Sequence, residues 1–256
     1  VGRGLEKINI FCLHGFLGLP ADWDLIKSYF MVSSLARQFE WRSVDYMKLS
    51  ALAPQNPFEP WARHFNSYVR REAPQGPRVL VGYSLGGRLG LQALKADPGL
   101  YEAAVFISTH PGLQREKDRQ ERKLSDEVWA QKFLSTPWPE LMKEWNSQGV
   151  FKESPSEPQR LEAFYERALL AQALTSWSLS AQEDLRDLIT GHSGKILWVS
   201  GDKDLKFASL AMELKKRAPA LQSEILAKAS HRVLFDQPGE LAQRMISFIQ
   251  EHTGMA

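Results

Sequence analysis

The chain has 256 residues, 43% of them hydrophobic, with 32 Lys or Arg against 30 Asp or Glu, a single cysteine and a formal net charge of +2. That length and apolar content suit one elaborated α/β domain with a full core, and the charge balance excludes a global field for nucleic acid. No apolar run reaches the length of a membrane span, and one cysteine, Cys12, excludes an internal disulfide, so the expected setting is a reducing cytoplasm with a monomer as an allowed state.

Period and breaker residues predict strands at 8–13, 39–44, 79–82, 103–108, 195–200 and 222–226, and helices at 20–35, 57–72, 85–96, 207–217 and 238–251. Such alternation predicts a mostly parallel sheet covered by helices on both faces. It stops between His110 and His192, where helical patterns are broken by Pro137, Pro139, Pro155 and Pro158 and no strand pattern occurs. The expected organisation is a core of residues 1–109 and 193–256, with residues 110–192 inserted as a helical cap over the carboxyl ends of the strands.

The first strand runs into His14-Gly15-Phe16-Leu17-Gly18, a tight glycine-bearing turn. The third runs into Gly82-Tyr83-Ser84-Leu85-Gly86 and then a helix, the setting of a nucleophile elbow. Glycines on either side of Ser84 remove side chains that would clash in a strained strand-to-helix turn, and the following helix points free amides at the same spot. In an α/β-hydrolase fold the oxyanion hole then combines the Leu85 N–H with one from the first turn, that of Phe16, while His14 shapes the loop. The remaining triad members are expected in chain order, a carboxylate then a histidine, each in a loop after a strand. Gly201-Asp202-Lys203-Asp204 and Ala229-Ser230-His231 occupy those places. Asp204 is preferred over Asp202 because Asp202, closer to the strand end, is suited to capping the next turn. The expected triad is Ser84, Asp204 and His231.

Two features concern the ligand. The stretch Gln114 to Lys123 is dense in charge, and Trp129, Trp138, Trp145 and Trp177 crowd the insertion, as solvated helix and cap core or as the roof of a pocket. Arg88 lies one turn beyond Ser84 at a helix N-terminus, where a cation opposes the dipole, a position suited to an anion clamp. A carboxylate-bearing small molecule is the expected substrate.

The elbow with Gly87-Arg88, His110-Pro111-Gly112-Leu113-Gln114, Ser125-Asp126 to Leu134, Trp145 with Val150-Phe151, and Gly201 to Phe207 together resemble the MenH family, 2-succinyl-6-hydroxy-2,4-cyclohexadiene-1-carboxylate synthases of menaquinone biosynthesis. The resemblance implies an α/β-hydrolase fold with an inserted helical cap. It also implies a lyase that eliminates pyruvate from an enolpyruvyl cyclohexene, with the triad abstracting a proton. Arg88, Arg122 and, through a one-residue shift, Arg167 would bind substrate carboxylates, with Tyr83, Trp145 and Lys206 as further contacts, and no metal or organic cofactor. Where many relatives carry Asp-x-Pro-Gly-His-Gly after the second strand, this chain has Asp45-Tyr46-Met47-Lys48-Leu49. A carboxylesterase or thioesterase uses the same triad and stands as the alternative.

Overall fold

The computed structural model describes residues 7–49 and 52–254; residues 1–6, 50, 51, 255 and 256 of the expected core lie outside the described residues. Six strands form the sheet, β1 (Ile8–Leu13), β2 (Phe39–Val44), β3 (Arg78–Tyr83), β4 (Ala103–Ile107), β5 (Ile196–Gly201) and β6 (Gln222–Leu226), all but the two edge strands β2 and β6 being largely apolar. They pair in the order β2-β1-β3-β4-β5-β6, and each pairing is parallel. The helices are α1 (Asp24–Val32), α2 (Phe58–Glu72), α3 (Leu85–Ala96), α4 (Glu116–Ser135), α5 (Trp138–Asn146), α6 (Arg167–Ser176), α7 (Arg186–Gly191), α8 (Leu205–Arg217), α9 (Val233–Asp236) and α10 (Pro238–Thr253).

Alternation along the strands sorts the core into two layers, because successive side chains point to opposite faces. Phe11, Leu80, Phe106 and Trp198 join Trp61, Phe65, Leu89 and Leu214 of α2, α3 and α8 on one face. Ile10, Val79, Val105 and Val199 join Ile26, Phe30, Met245 and Phe248 of α1 and α10 on the other.

Local chemistry explains where the elements depart from the expected spans. The helix expected at 20–35 is divided into a 3-10 turn at Pro20–Trp23 and α1, which stops at Val32 because Ser33 turns extended and its hydroxyl donates to the Phe30 carbonyl at 2.7 Å. β4 ends at Ile107 because Ser108 takes φ 46°, outside the extended region. α8 starts at Leu205, two residues before its expected start, because Asp204 Oδ1 accepts from the Phe207 N–H at 3.4 Å and caps it. Pro137 precedes α5 and Pro139 sits in its first turn, where a missing N–H costs nothing.

Chain order places β2 on one side of β1 and β3 on the other, so the carboxyl ends of β1 and β3 flank the point where winding reverses. Between β4 and β5 the described residues hold helices α4 to α7 and no strand. Phe133, Trp138, Leu141, Leu170 and Leu174 form a separate apolar cluster there, and Leu17 from the turn after β1 inserts into it. α7 is packed differently from the rest of that segment. Leu185, just before it, and Ile189 join the sheet layer, and Arg186 Nε donates to Glu213 of α8 at 2.9 Å.

Candidate active site

Ser84 sits between β3 and α3 with φ 52° and ψ −109°, a backbone conformation that serine adopts only when its surroundings impose it. The imposition comes from both sides. A methyl group at Gly86 would fall inside contact distance of the Leu13 and His14 carbonyl oxygens, so only glycine lets the start of α3 seat against the end of β1. The result places Ser84 Oγ 3.0 Å from His231 Nε2.

His231 comes from the loop after β6 and is 5% exposed. Its Nδ1 meets Asp204 Oδ2 at 2.7 Å, completing a serine-histidine-carboxylate relay assembled from the ends of β3, β5 and β6. The preference for Asp204 over Asp202 rested on Asp202 being the better capping residue. In the structure Asp204 does both, one oxygen on the imidazole and the other on the Phe207 N–H.

Leu85 is the first residue of α3, so helix geometry leaves its N–H without an intrahelical acceptor beside Ser84. Phe16 lies in the turn after β1, which the Gly18 N–H closes on the Gly15 carbonyl at 2.9 Å. The Tyr46 hydroxyl donates to the His14 carbonyl at 2.8 Å, and the His14 ring stacks on Tyr46 at 4.2 Å. Burial lowers the His14 pKa, which keeps the ring neutral inside this loop.

Above the relay is a cavity of about 330 Å³ lined from both the sheet edge and the helical segment. Tyr83, Ser84, Leu85, Phe16 and His231 form part of the floor, and Trp129 of α4, Met142 and Trp145 of α5 and Leu174 of α6 are among the walls. Phe16 packs edge-on against Phe133 at 5.3 Å and at a tilt of 42° against Trp145 at 4.9 Å, tying floor to wall. Five cationic side chains reach the lining, Arg88, Arg122, Arg160, Lys206 and Arg232, against one carboxylate, Asp126, among the described residues.

These cations differ in what neutralises them. Arg122 Nε donates to Asp126 Oδ2 at 2.8 Å, and Arg160 makes a two-pronged pair with Asp22 at 2.7 and 2.8 Å. Arg88 is 9% exposed and donates to a neutral acceptor, Gln182 Oε1, at 3.3 Å. Burial, reinforced by Arg122, pushes its pKa down to about 9. Burial likewise lowers the Lys206 pKa, again with Arg122 adding to the effect. His110, also in the lining, accepts the Gly112 N–H at Nδ1, and burial with Lys206 and Arg88 nearby pushes its pKa down to about 3.

Of the residues expected to touch substrate, Tyr83, Arg88, Arg122, Trp145 and Lys206 line this cavity. Arg167 does not. It starts α6, donates to Glu162 Oε1 at 2.7 Å and lies over the Trp138 ring at 5.6 Å, outside the lining. Its place among the cationic groups is taken by Arg160 and Arg232, which sequence reasoning did not single out. Arg232 adjoins the histidine in sequence and was open to inspection on that ground; Arg160 has no comparable local signal.

The profile of the alpha/beta hydrolase family matches residues 10–244. The chain belongs to the alpha/beta hydrolase family. Within the family, a 2-succinyl-6-hydroxy-2,4-cyclohexadiene-1-carboxylate synthase of Escherichia coli O1:K1 is 35% identical over 164 residues, 62% of this chain and 63% of that protein. The match thus spans a little under two thirds of that relative's length. A protein of the same name from Salmonella newport (strain SL254) is 34% identical over 176 residues, 67% of this chain and 68% of its own. These matches make the chain a MenH-like member of the family, the resemblance its motifs carry. Among solved structures, MenH from S. aureus superposes with a TM-score of 0.81 at 18% identity, covering 98% of this chain and 96% of that one. A thermophilic esterase from Thermogutta terrifontis superposes with a TM-score of 0.69 at 14% identity, covering 97% and 91%. At such identities both show the fold alone, in which this chain's sheet has six parallel strands among the described residues.

Proposed function

We propose that this protein is a carbon-oxygen lyase that converts 2-succinyl-5-enolpyruvyl-6-hydroxy-3-cyclohexene-1-carboxylate to 2-succinyl-6-hydroxy-2,4-cyclohexadiene-1-carboxylate and pyruvate, with Ser84, His231 and Asp204 as its proton-abstracting triad. The relatives' name supplies the product. The observation that carries the reading is the ordered relay of 3.0 and 2.7 Å beneath a cavity whose lining holds five cations and one carboxylate. A polyanionic substrate suits such a lining, and an ordinary neutral ester does not call for it.

The change from a 3-ene to a 2,4-diene dictates the bonds. A proton leaves C2, made acidic by the succinyl ketone; the C2–H electron pair becomes the C2–C3 double bond, the C3–C4 π pair moves to C4–C5, and the C5–O bond breaks with its electrons leaving on oxygen. The departing enolpyruvate takes up a proton to become pyruvate. In this reading His231, oriented by Asp204, accepts the Ser84 proton, and the serine oxygen removes the proton from C2. The N–H groups of Leu85 and Phe16 would hold the enolate oxygen, and Arg88, Arg122 and Lys206 would fix substrate carboxylates, with Tyr83 and Trp145 beside the ring. Residues 110–192 would serve as the cap that sets this fit. The same reading assigns the enzyme to the cytoplasm, with no partner beyond its small-molecule substrate.

Pyruvate release from the enolpyruvyl precursor, followed with a coupled dehydrogenase, tests this. Ser84→Ala is expected to lower turnover by at least about a thousandfold with little change in folding. A protein that hydrolyses a p-nitrophenyl ester but releases no pyruvate would be an esterase, and the reading would be wrong.

A further inference from the structure

Arg232 is a charged side chain with 6% exposure whose bonds inside the protein go to neutral oxygens: NH1 donates to the Ser156 carbonyl at 2.7 Å and NH2 to Asn146 Oδ1. Its guanidinium lies 4.4 Å from the centre of the Phe151 ring. Among the described residues no carboxylate comes within ion-pair distance of it, in contrast to Arg122 and Arg160. A buried guanidinium with neutral acceptors retains a full unmet charge, which is costly unless something outside the chain meets it.

Arg88 has the same property, and the two belong to different neighbourhoods. The ionisable groups that face Arg88 are Arg122, Asp126, Tyr46 and His110. Those that face Arg232 are Tyr83, Glu157, Arg160 and Asp236. Of the two carboxylates near Arg232, Glu157 accepts from Asn146 Nδ2 at 2.7 Å, and Asp236 accepts from the Ser230 N–H and hydroxyl at 2.8 and 2.5 Å. Tyr83 has no hydrogen-bond partner for its hydroxyl among the described residues, and its ring lies 5.8 Å from that of His231. Ser84 and His231 are joined at 3.0 Å, Arg88 follows Ser84 by one turn of α3, and Arg232 is the residue after His231, so each arginine is attached beside a different member of the pair and both line the cavity.

We propose that Arg232, with the Tyr83 hydroxyl, forms a second anion subsite, so that the cavity takes a dicarboxylate held at Arg88 on one side of the Ser84–His231 pair and at Arg232 on the other. This deepens the reading given above and rests on it for treating the cavity as the substrate pocket. It adds a residue that the family motifs do not include and a geometric demand: the reacting carbon lies between two carboxylates of one molecule, and a ligand with a single carboxylate gains only one pole.

Calorimetric titration with α,ω-dicarboxylates from succinate to pimelate, each beside the monocarboxylate of equal chain length, tests it without the reaction. The best dicarboxylate should bind the wild-type protein at least about tenfold more tightly than its monocarboxylate partner. Arg232→Gln should erase that advantage while leaving monocarboxylate affinity within about twofold, and Arg232→Lys should restore most of it. Melting curves on both variants check that the fold is retained. Equal affinity of the wild-type protein for the two ligand types, or equal loss for both in Arg232→Gln, would overturn the subsite and leave Arg232 as a tie between the histidine loop and the helical segment. Pyruvate release separates the two ideas. A protein that shows the dicarboxylate preference but releases no pyruvate keeps the subsite and loses the reaction; one that releases pyruvate with a KM unmoved by Arg232→Gln keeps the reaction and loses the subsite.

Discussion

Replacing Arg88 by methionine should make the ligand-free protein more stable while impairing substrate binding. Arg88 is 9% exposed, and chiefly burial pushes its pKa down to about 9, well below the ordinary guanidinium value. At 1.36 kcal/mol per unit, that displacement corresponds to about 5 kcal/mol opposing the charged form in the folded state. Methionine has a similar length and no charge, but it leaves Gln182 Oε1 without its donor, at a cost of about 1–3 kcal/mol. The expected net gain is about 2–4 kcal/mol, a rise in Tm of at least about 4 °C for a chain of this size. The pH dependence has a definite sign. The folded pKa lies below the unfolded one, so the unfolded chain binds more protons from about pH 9 up to the ordinary guanidinium value, and the penalty is full below that window and fades as pH rises through it. The stability advantage of Arg88→Met over the wild type should therefore be greatest near neutral pH and shrink above about pH 9. Denaturant melts of both proteins at pH 7.5 and 10.5, with KM for the enolpyruvyl precursor at pH 7.5, measure all three quantities. A variant no more stable than the wild type, with an unchanged KM, would refute the picture of a buried guanidinium held for the ligand.

Three further substitutions probe the parts that hold the relay. Asp204→Asn should keep the α8 cap, since asparagine also caps well, yet lower pyruvate release by about 10³–10⁴-fold through the wrong imidazole tautomer; near-normal turnover with a normal melt would count against the assignment. Gly86→Ala should destabilise the fold by about 3 kcal/mol, because the overlap is with backbone carbonyls of Leu13 and His14 that cannot swing away, and chemical denaturation measures it. Asp22→Ala should cost about 3–5 kcal/mol by leaving Arg160 charged and unpaired at 12% side-chain exposure; a loss under about 1 kcal/mol would show that the pair is effectively solvated.

Much of the sheet was legible because β1, β3, β4 and β5 are short, largely apolar runs; β1 and the more polar β2 and β6 have the bounds expected from the sequence. The elbow was legible for a related reason, since strand, turn and helix are contiguous and glycine spacing reports the steric demand directly. What could not be read was pairing across the chain. Arg160 and Asp22 are 138 residues apart, and nothing in the composition near either one announces the other. Arg167, expected at the cavity through the resemblance, instead donates to Glu162, five residues earlier, and lies outside the lining. Asp204 was chosen by its position after β5, while its second role as a helix cap depends on where α8 begins, a boundary that hydrophobic period locates only to within a turn.

The chain leaves the sheet at the end of β4 and re-enters at β5, and these two strands are neighbours. The roof of the cavity is therefore one uninterrupted cassette whose two ends attach side by side. Closing such an excursion adds only slowly to the entropic cost of folding as it lengthens, so the cassette can grow, shrink or be exchanged without re-registering a single strand. Grafting a relative's segment between His110 and Asp184 should consequently retune ligand choice while the elbow, histidine and aspartate beneath keep their spacing.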